Sequence, residues 1–315
     1  ATDPLLCGLQ VSPAQEVLCE IFAEVLGIEK AGIHDNFFEL GGHSLLATKA
    51  IYRINDQFRI DVSIPSLFEN PTVEKLARVV EQASREGQAY CCAREIPRVA
   101  VDGPLPMSYA QRRMWFLYEF EPARPLYNVP LMLALRGPLR IEALEESLND
   151  VIARHDSLRT TFDVRDGEPV QIIHPHTHRP LSIEAAPDLA GLGFSDLIKH
   201  PAVKGEVCSP FDLRHGPPLH MKLLRVQDQE HVLVLTMHHI VSDGWSMDVM
   251  LDELSPAYAA RTQGQVPCLE PLLVQCADYS CWQRQWLQGS VLEELQDYWR
   301  EQLKGELPVL ELPTD

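Results

Sequence analysis

The sequence has no surplus of positive charge: 27 Lys and Arg stand against 45 Asp and Glu over 315 residues, a formal charge of −18. Nucleic-acid backbones are bound through a Lys/Arg excess, so no nucleic-acid partner is expected. Anionic surfaces in general are disfavoured as well. No apolar run approaches the ~20 residues that span a bilayer, and the opening ATDPLLCGLQ lacks the basic-then-apolar order of a signal peptide. No membrane partner is expected, and the expected compartment is the cytoplasm. The eight cysteines (Cys7, Cys19, Cys91, Cys92, Cys208, Cys268, Cys276 and Cys281) include no CxxC pair. Zinc and redox signatures are therefore missing, and reduced thiols are expected. Internal repeats and low-complexity tracts are also missing. What is present is a globular composition, 45% hydrophobic and 23% charged, long enough for two domains.

The first stretch reads as helical. Ser12-Pro13 is a capping hydroxyl followed by a first-turn proline. Val17, Leu18, Ile21, Phe22, Val25 and Leu26 recur at helical spacing until Gly27. A long loop runs through Asn36-Phe37-Phe38 to Gly41-Gly42, and a second helix opens at Ser44 with Leu45, Leu46, Ala50, Ile51 and Ile54. A short element spans Ser63 to Phe68, and Asn70-Pro71-Thr72 launches a last helix through Val73, Leu76 and Val80. Residues 1–84 are expected as one small four-helix bundle and residues 85–103, without periodicity, as a linker.

From Pro104 to Asp315 the pattern is α/β. Helices are expected near Ser108, over Ile141–His155 and after Ser246, with a helical stretch holding Trp282, Trp286 and Trp299. Strands are expected at 131–135, 169–173, 219–226 and 231–238, the last carrying the buried-type run VLVLTM. The tryptophans at 282, 286 and 299 are expected to pack in a core or between lobes.

Two segments carry chemistry. In Asp35-Asn36-Phe37-Phe38-Glu39-Leu40-Gly41-Gly42-His43-Ser44-Leu45, glycines permit a sharp turn that exposes Ser44 at a helix start. There, free N–H groups and the helix dipole favour phosphate, although Ser44 could equally be a simple cap. The string resembles the thiolation motif of peptidyl carrier domains in nonribosomal peptide synthetases, and the likeness extends to Phe68-Glu69-Asn70-Pro71-Thr72. The resemblance implies a covalent 4′-phosphopantetheine on Ser44 that holds an aminoacyl or peptidyl thioester. His43 resembles carriers that pass directly to a condensation domain.

The second segment is Met237-His238-His239-Ile240-Val241-Ser242-Asp243-Gly244-Trp245-Ser246. A histidine after a strand is placed to move a proton near neutral pH, and Gly244 permits a tight turn. The spacing matches no zinc signature. Alternating His174, His176 and His178 have no carboxylate or cysteine nearby to complete a ligand set, so no metal is expected. The string resembles the HHxxxDG motif of condensation domains, a motif shared with chloramphenicol acetyltransferase relatives. Further resemblance lies in Ser108–Trp115, Arg154–Phe162 and Ala277–Arg284.

By that resemblance the chain is a multidomain one, a carrier bundle followed by the chloramphenicol-acetyltransferase-like N-terminal lobe of a condensation domain at 104–315. His239 is implied to be catalytic, as base or by positioning the amine. His238 is implied to be buried and structural, and Gly244 to shape the loop and offer its N–H near the reacting groups. Asp243 is implied to pair with an arginine, Arg159 first and Arg154 second. Leu126-Tyr127-Asn128-Val129-Pro130 with Ser242 resembles the subclass taking an L-configured donor. Implied partners are a phosphopantetheinyl transferase, an upstream adenylation domain, the second condensation lobe and a downstream carrier domain, in antibiotic or siderophore biosynthesis. Without the second lobe, little amide formation is expected. Two alternatives stay open: an acyltransferase of the same superfamily using acyl-coenzyme A, or a docking fragment without catalysis.

Overall fold

Ser12 opens the first helix by a reciprocal cap. Its hydroxyl accepts the Gln15 N–H at 3.3 Å, and the Gln15 side chain accepts the Ser12 N–H at 2.9 Å. Helix α1 (Pro13–Leu26) then ends at left-handed Gly27. The computed structural model describes residues 12–86, 96–122 and 124–308, and the chain divides into two units after Glu95.

The first unit continues with α2 (Ser44–Phe58), α3 (Ile64–Glu69) and α4 (Val73–Glu86). Leu18, Phe22, Ile54, Leu67, Leu76 and Val80 share one core, so the apolar spacings along the helices converge on a common interior. The loop between α1 and α2 is held by Phe37, which is fully buried and meets Phe22 edge-on at 4.9 Å. The Phe37 N–H donates to the Pro71 carbonyl at 2.8 Å, and Asn36 bridges to Thr72. Burying a phenylalanine stabilises by ~1.5–3 kcal/mol, so one side chain fastens the loop to the approach of α4. Asn55, buried on α2, satisfies both the N–H and the carbonyl of Val62, at 2.8 and 2.9 Å.

The second unit begins with β1 (Leu105–Pro106), α5 (Tyr109–Phe120), β2 (Asn128–Arg136) and α6 (Ile141–Arg154). It continues through β3 (Thr160–Arg165), β4 (Glu168–Ile173), β5 (Ser182–Ala185), α7 (Phe194–Leu197) and α8 (Pro201–Val207). Then come β6 (Leu219–Gln227), β7 (Glu230–His238), α9 (Gly244–Thr262), α10 (Cys276–Trp286) and α11 (Gly289–Gln302). Among the described residues the strands form two sheets, ordered β1-β4-β3 and β2-β7-β6-β5. Strand β7 is covered on both faces. Leu233, Leu235 and Met237 pack with Leu148 of α6 and Met250 and Leu254 of α9, whereas Val232 and Val234 pack with Leu189 and Val203. Double burial is why this strand reads as an unbroken apolar run rather than an alternation.

Several elements depart from the sequence expectation. Strand β3 joins β4 through Asp166 and Gly167, both at positive φ (52° and 82°), the primed-turn geometry of a tight hairpin. The expected helical stretch around Trp282–Trp299 is broken into α10 and α11. Trp282 and Trp286 stack at 5.1 Å, but Trp299 is 58% exposed and is no core residue; the buried tryptophan is Trp115. Within the expected linker, Arg98 and the Val99 N–H reach the buried carboxylate of Asp278 at 3.0 and 2.8 Å, which joins this stretch to the second unit. Residues 87–95 of that linker lie outside the described residues. No helix among the described residues is long and apolar enough to cross a membrane.

Candidate functional site

Ser44 is exposed and is the first residue of α2. The N-cap position belongs to His43, in extended conformation and without a side-chain hydrogen bond to the helix. Ser44 therefore sits one residue inside the helix rather than capping it. The first turn of α2 holds no acidic residue, so its leading amides keep the partial positive charge that favours an anion. The preceding glycines serve different purposes. Gly41 has φ +99°, a conformation side chains resist, and Gly42 donates its N–H to the Phe37 carbonyl at 2.9 Å. The chain from buried Phe37 through Gly42 thus fixes where Ser44 emerges. An exposed hydroxyl backed by anion-favouring amides fits a phosphodiester-linked arm.

The second constellation starts at the end of β7. His238 pairs across the sheet with Asn128, whose side chain donates to the Val207 and Ser209 carbonyls at 2.7 and 2.8 Å. The His238 ring is buried, edge-on to Tyr118 and Phe211, and its Nδ1 accepts the Ile240 N–H at 3.1 Å. Burial, and secondarily the neighbouring His239, depress its pKa to about 4, so the ring is neutral at pH 7. His239 is exposed. Its backbone N–H donates to the Tyr127 carbonyl at 2.8 Å, and its Nδ1–H donates to the Ser242 carbonyl at 2.5 Å. In the neutral ring that hydrogen bond leaves the lone pair on Nε2. Beside the loop, a cavity of about 220 Å³ is lined by Val151, Leu158, Met237, Val241, Trp245 and Met250, among others.

Two sequence expectations are corrected here. Asp243 pairs with neither Arg159 nor Arg154. It caps α9 instead, its carboxylate accepting the Ser246 N–H and hydroxyl at 2.9 and 2.8 Å. Arg159 is engaged by the Asp156 carboxylate and the His174 carbonyl. Arg154 joins Glu253 at 2.9 Å and the Glu270 carbonyl. Each arginine is thus held by nearer acceptors, although the buried Nε of Arg159 has no hydrogen-bond partner. Gly244 is not needed for a tight turn: its φ is not positive and a Cβ there would meet nothing within 4 Å. It is the first helical residue of α9, where a backbone N–H has no acceptor within the helix. The fold therefore keeps His238, His239, Asp243 and Gly244 together where β7 passes into α9 and gives Arg154 and Arg159 other duties. His174 and His178 have separate partners, Thr161 and Glu145, and no three ligating side chains converge among the described residues. Sequence reasoning missed the carbonyls of Tyr127 and Ser242, which hold His239.

Family models match both units: a phosphopantetheine attachment site over residues 16–80 and a condensation domain over residues 101–315. A linear gramicidin synthase polypeptide of Brevibacillus parabrevis is 45% identical over 303 residues, covering 96% of this chain and 4% of that protein. Surfactin synthase subunit 1 of Bacillus subtilis (strain 168) is 36% identical over 301 residues, covering 96% of this chain and 8% of that one. The chain thus spans less than a tenth of either relative. Among solved structures, the X-domain from teicoplanin biosynthesis aligns with a TM-score of 0.60 at 34% identity, over 69% of this chain and 47% of that one. The first condensation domain of the calcium-dependent antibiotic synthetase shares the fold, with a TM-score of 0.57 at 18% identity over 67% of this chain and 51% of the other. With a phosphopantetheine attachment domain ahead of it and a condensation match over most of its length, the chain belongs to the condensation-domain family of the nonribosomal peptide synthetases.

Proposed function

We propose that Ser44 bears the 4′-phosphopantetheine arm and that this carrier presents its acyl group as donor to the condensation domain that follows it. The carrying observation is the order of the two matched domains, together with an exposed serine that its own helix does not use as a cap. When attached, the arm supplies a thiol on which an aminoacyl or peptidyl group is held for transfer. This chain contributes the histidine loop to that transfer. His239 Nε2 positions the incoming amine and takes its proton, while the Nδ1–H bond to Ser242 holds the ring. His238 stays neutral and so adds no charge to oppose that proton. The Gly244 N–H at the start of α9 supplies a donor beside the reacting groups. A phosphopantetheinyl transferase, an adenylation domain and a downstream carrier are the partners this reading requires. The solved chains it matches are about twice the aligned portion, 47% and 51% being covered. Amide formation is accordingly assigned to a full condensation domain, not to these residues alone.

The test is attachment of the arm. The chain is incubated with coenzyme A, magnesium and a promiscuous phosphopantetheinyl transferase and weighed intact, with Ser44→Ala beside it. A gain of one phosphopantetheine that disappears in the variant is expected. No gain by a folded chain would overturn the carrier assignment and favour the acyl-coenzyme A acyltransferase reading.

A further inference from the structure

We propose that Ser242 is a positioning residue for His239, acting through its hydroxyl: the hydroxyl fixes the loop so that the Ser242 carbonyl holds the His239 ring with its proton on Nδ1. The functional weight of this inference rests on the reading that His239 Nε2 handles the amine proton; the structural claim does not.

The Ser242 side chain is buried at 6% exposure and donates to the His238 carbonyl at 3.1 Å. That carbonyl also receives the Val241 N–H at 3.0 Å, and the His238 ring takes the Ile240 N–H. The turn from 238 to 242 is thereby folded back on the end of β7. On its other side, the Asp243 N–H donates to the Ser246 hydroxyl at 3.1 Å, within the cap of α9. The peptide between Ser242 and Asp243 is therefore gripped at both ends, and its carbonyl has one direction in which to point. That direction meets His239 Nδ1 at 2.5 Å. A free neutral imidazole prefers its proton on Nε2, so the opposite tautomer exists here because an acceptor is fixed at Nδ1. With the proton on Nε2, a neutral ring could donate to an amine but could not accept from one. A buried hydroxyl bonded to the His238 carbonyl thus decides which nitrogen is basic.

The experiment reads the tautomer directly in the intact chain. Ring nitrogens of a ¹⁵N-histidine-labelled sample are observed by NMR, with His239→Ala used for assignment. Wild type is expected to show the Nδ1–H form. Ser242→Thr keeps the hydroxyl and should keep that form. Ser242→Val has the same shape without it, and Ser242→Ala removes the side chain; each should move the tautomer ratio about five- to tenfold toward Nε2–H, the worth of one hydrogen bond. Near-UV circular dichroism shows which of the two remains folded, and either suffices. If both unfold, the wild-type and Ser242→Thr spectra decide, an Nε2–H ring in either overturning the proposal. Retention of the Nδ1–H form in a folded Ser242→Ala or Ser242→Val would also overturn it. The catalytic reading fails separately: unchanged amide formation by His239→Ala in a complete condensation domain would remove that role and leave the tautomer result standing.

Discussion

Gly42 lies so close to Phe37 that a Cβ at residue 42 would sit 2.3 Å from the phenylalanine ring and 2.5 Å from its carbonyl oxygen. Neither can withdraw, because the ring is fully buried and the carbonyl already accepts the Gly42 N–H. Gly42→Ala should therefore destabilise the first unit by about 1–3 kcal/mol, the range for overpacking a core. Faster amide exchange across α1 and α2 would show it. Gly244→Ala, where space is open, should change stability by no more than ~0.5 kcal/mol. Equal effects at the two glycines would contradict the geometry.

Replacement of Asp243 separates a cap from an ion pair. Asp243→Ala removes the side-chain acceptor of the Ser246 N–H and should cost ~1 kcal/mol, while Asp243→Asn, an equally good cap, should cost almost nothing. Urea unfolding followed by tryptophan fluorescence is suited to this, since Trp115, Trp245, Trp282, Trp286 and Trp299 all lie in the second unit. A loss in Asn as large as in Ala would restore an arginine partner.

Acid should loosen the second unit through His238. Its pKa falls from an ordinary 6.5 to about 4 on folding, so the unfolded chain binds the proton more readily. The stability contribution is complete above pH 6.5 and is lost as pH drops toward 4. Between pH 7 and pH 5 this one group accounts for about 2 kcal/mol. His238→Asn should start less stable but show a shallower decline over the same interval. An unchanged pH slope in the variant would mean that the decline originates elsewhere.

His239 should affect rate rather than stability. Its ring is exposed, so His239→Ala should leave the urea midpoint nearly unmoved. In a complete condensation domain, amide formation should fall by about 10²–10⁴-fold, the usual contribution of a positioned acid–base group. A variant of unchanged rate would assign the loop a structural role only.

Much of the fold could be read because burial imposes a pattern. Strand β7 is apolar on both faces and α1 carries its core residues at helical spacing, so both were visible. The Asp166-Gly167 turn bears an equally legible signature, an Asp-Gly pair between two short strands. Asp243 misled for a different reason: its pairing with an arginine is carried over from the family resemblance, whereas Asp243 followed three residues on by Ser246 at the opening of a helix is also the signature of a cap. What no residue type could disclose is the pair of carbonyls at Tyr127 and Ser242. Every residue carries the same carbonyl, and only the folded path decides which ones meet an imidazole.

The uncapped start of α2 has a thermodynamic corollary. Where α1, α5 and α9 each close their first turn with a reciprocal cap, α2 leaves that stabilisation unmade. A phosphodiester on Ser44 would place a permanent anion at the positive end of the helix dipole, a gain of about 0.3–1 kcal/mol. If Ser44 is the attachment residue, modification and folding would be linked functions, the unmodified carrier being the more easily opened state of the same domain by that small amount.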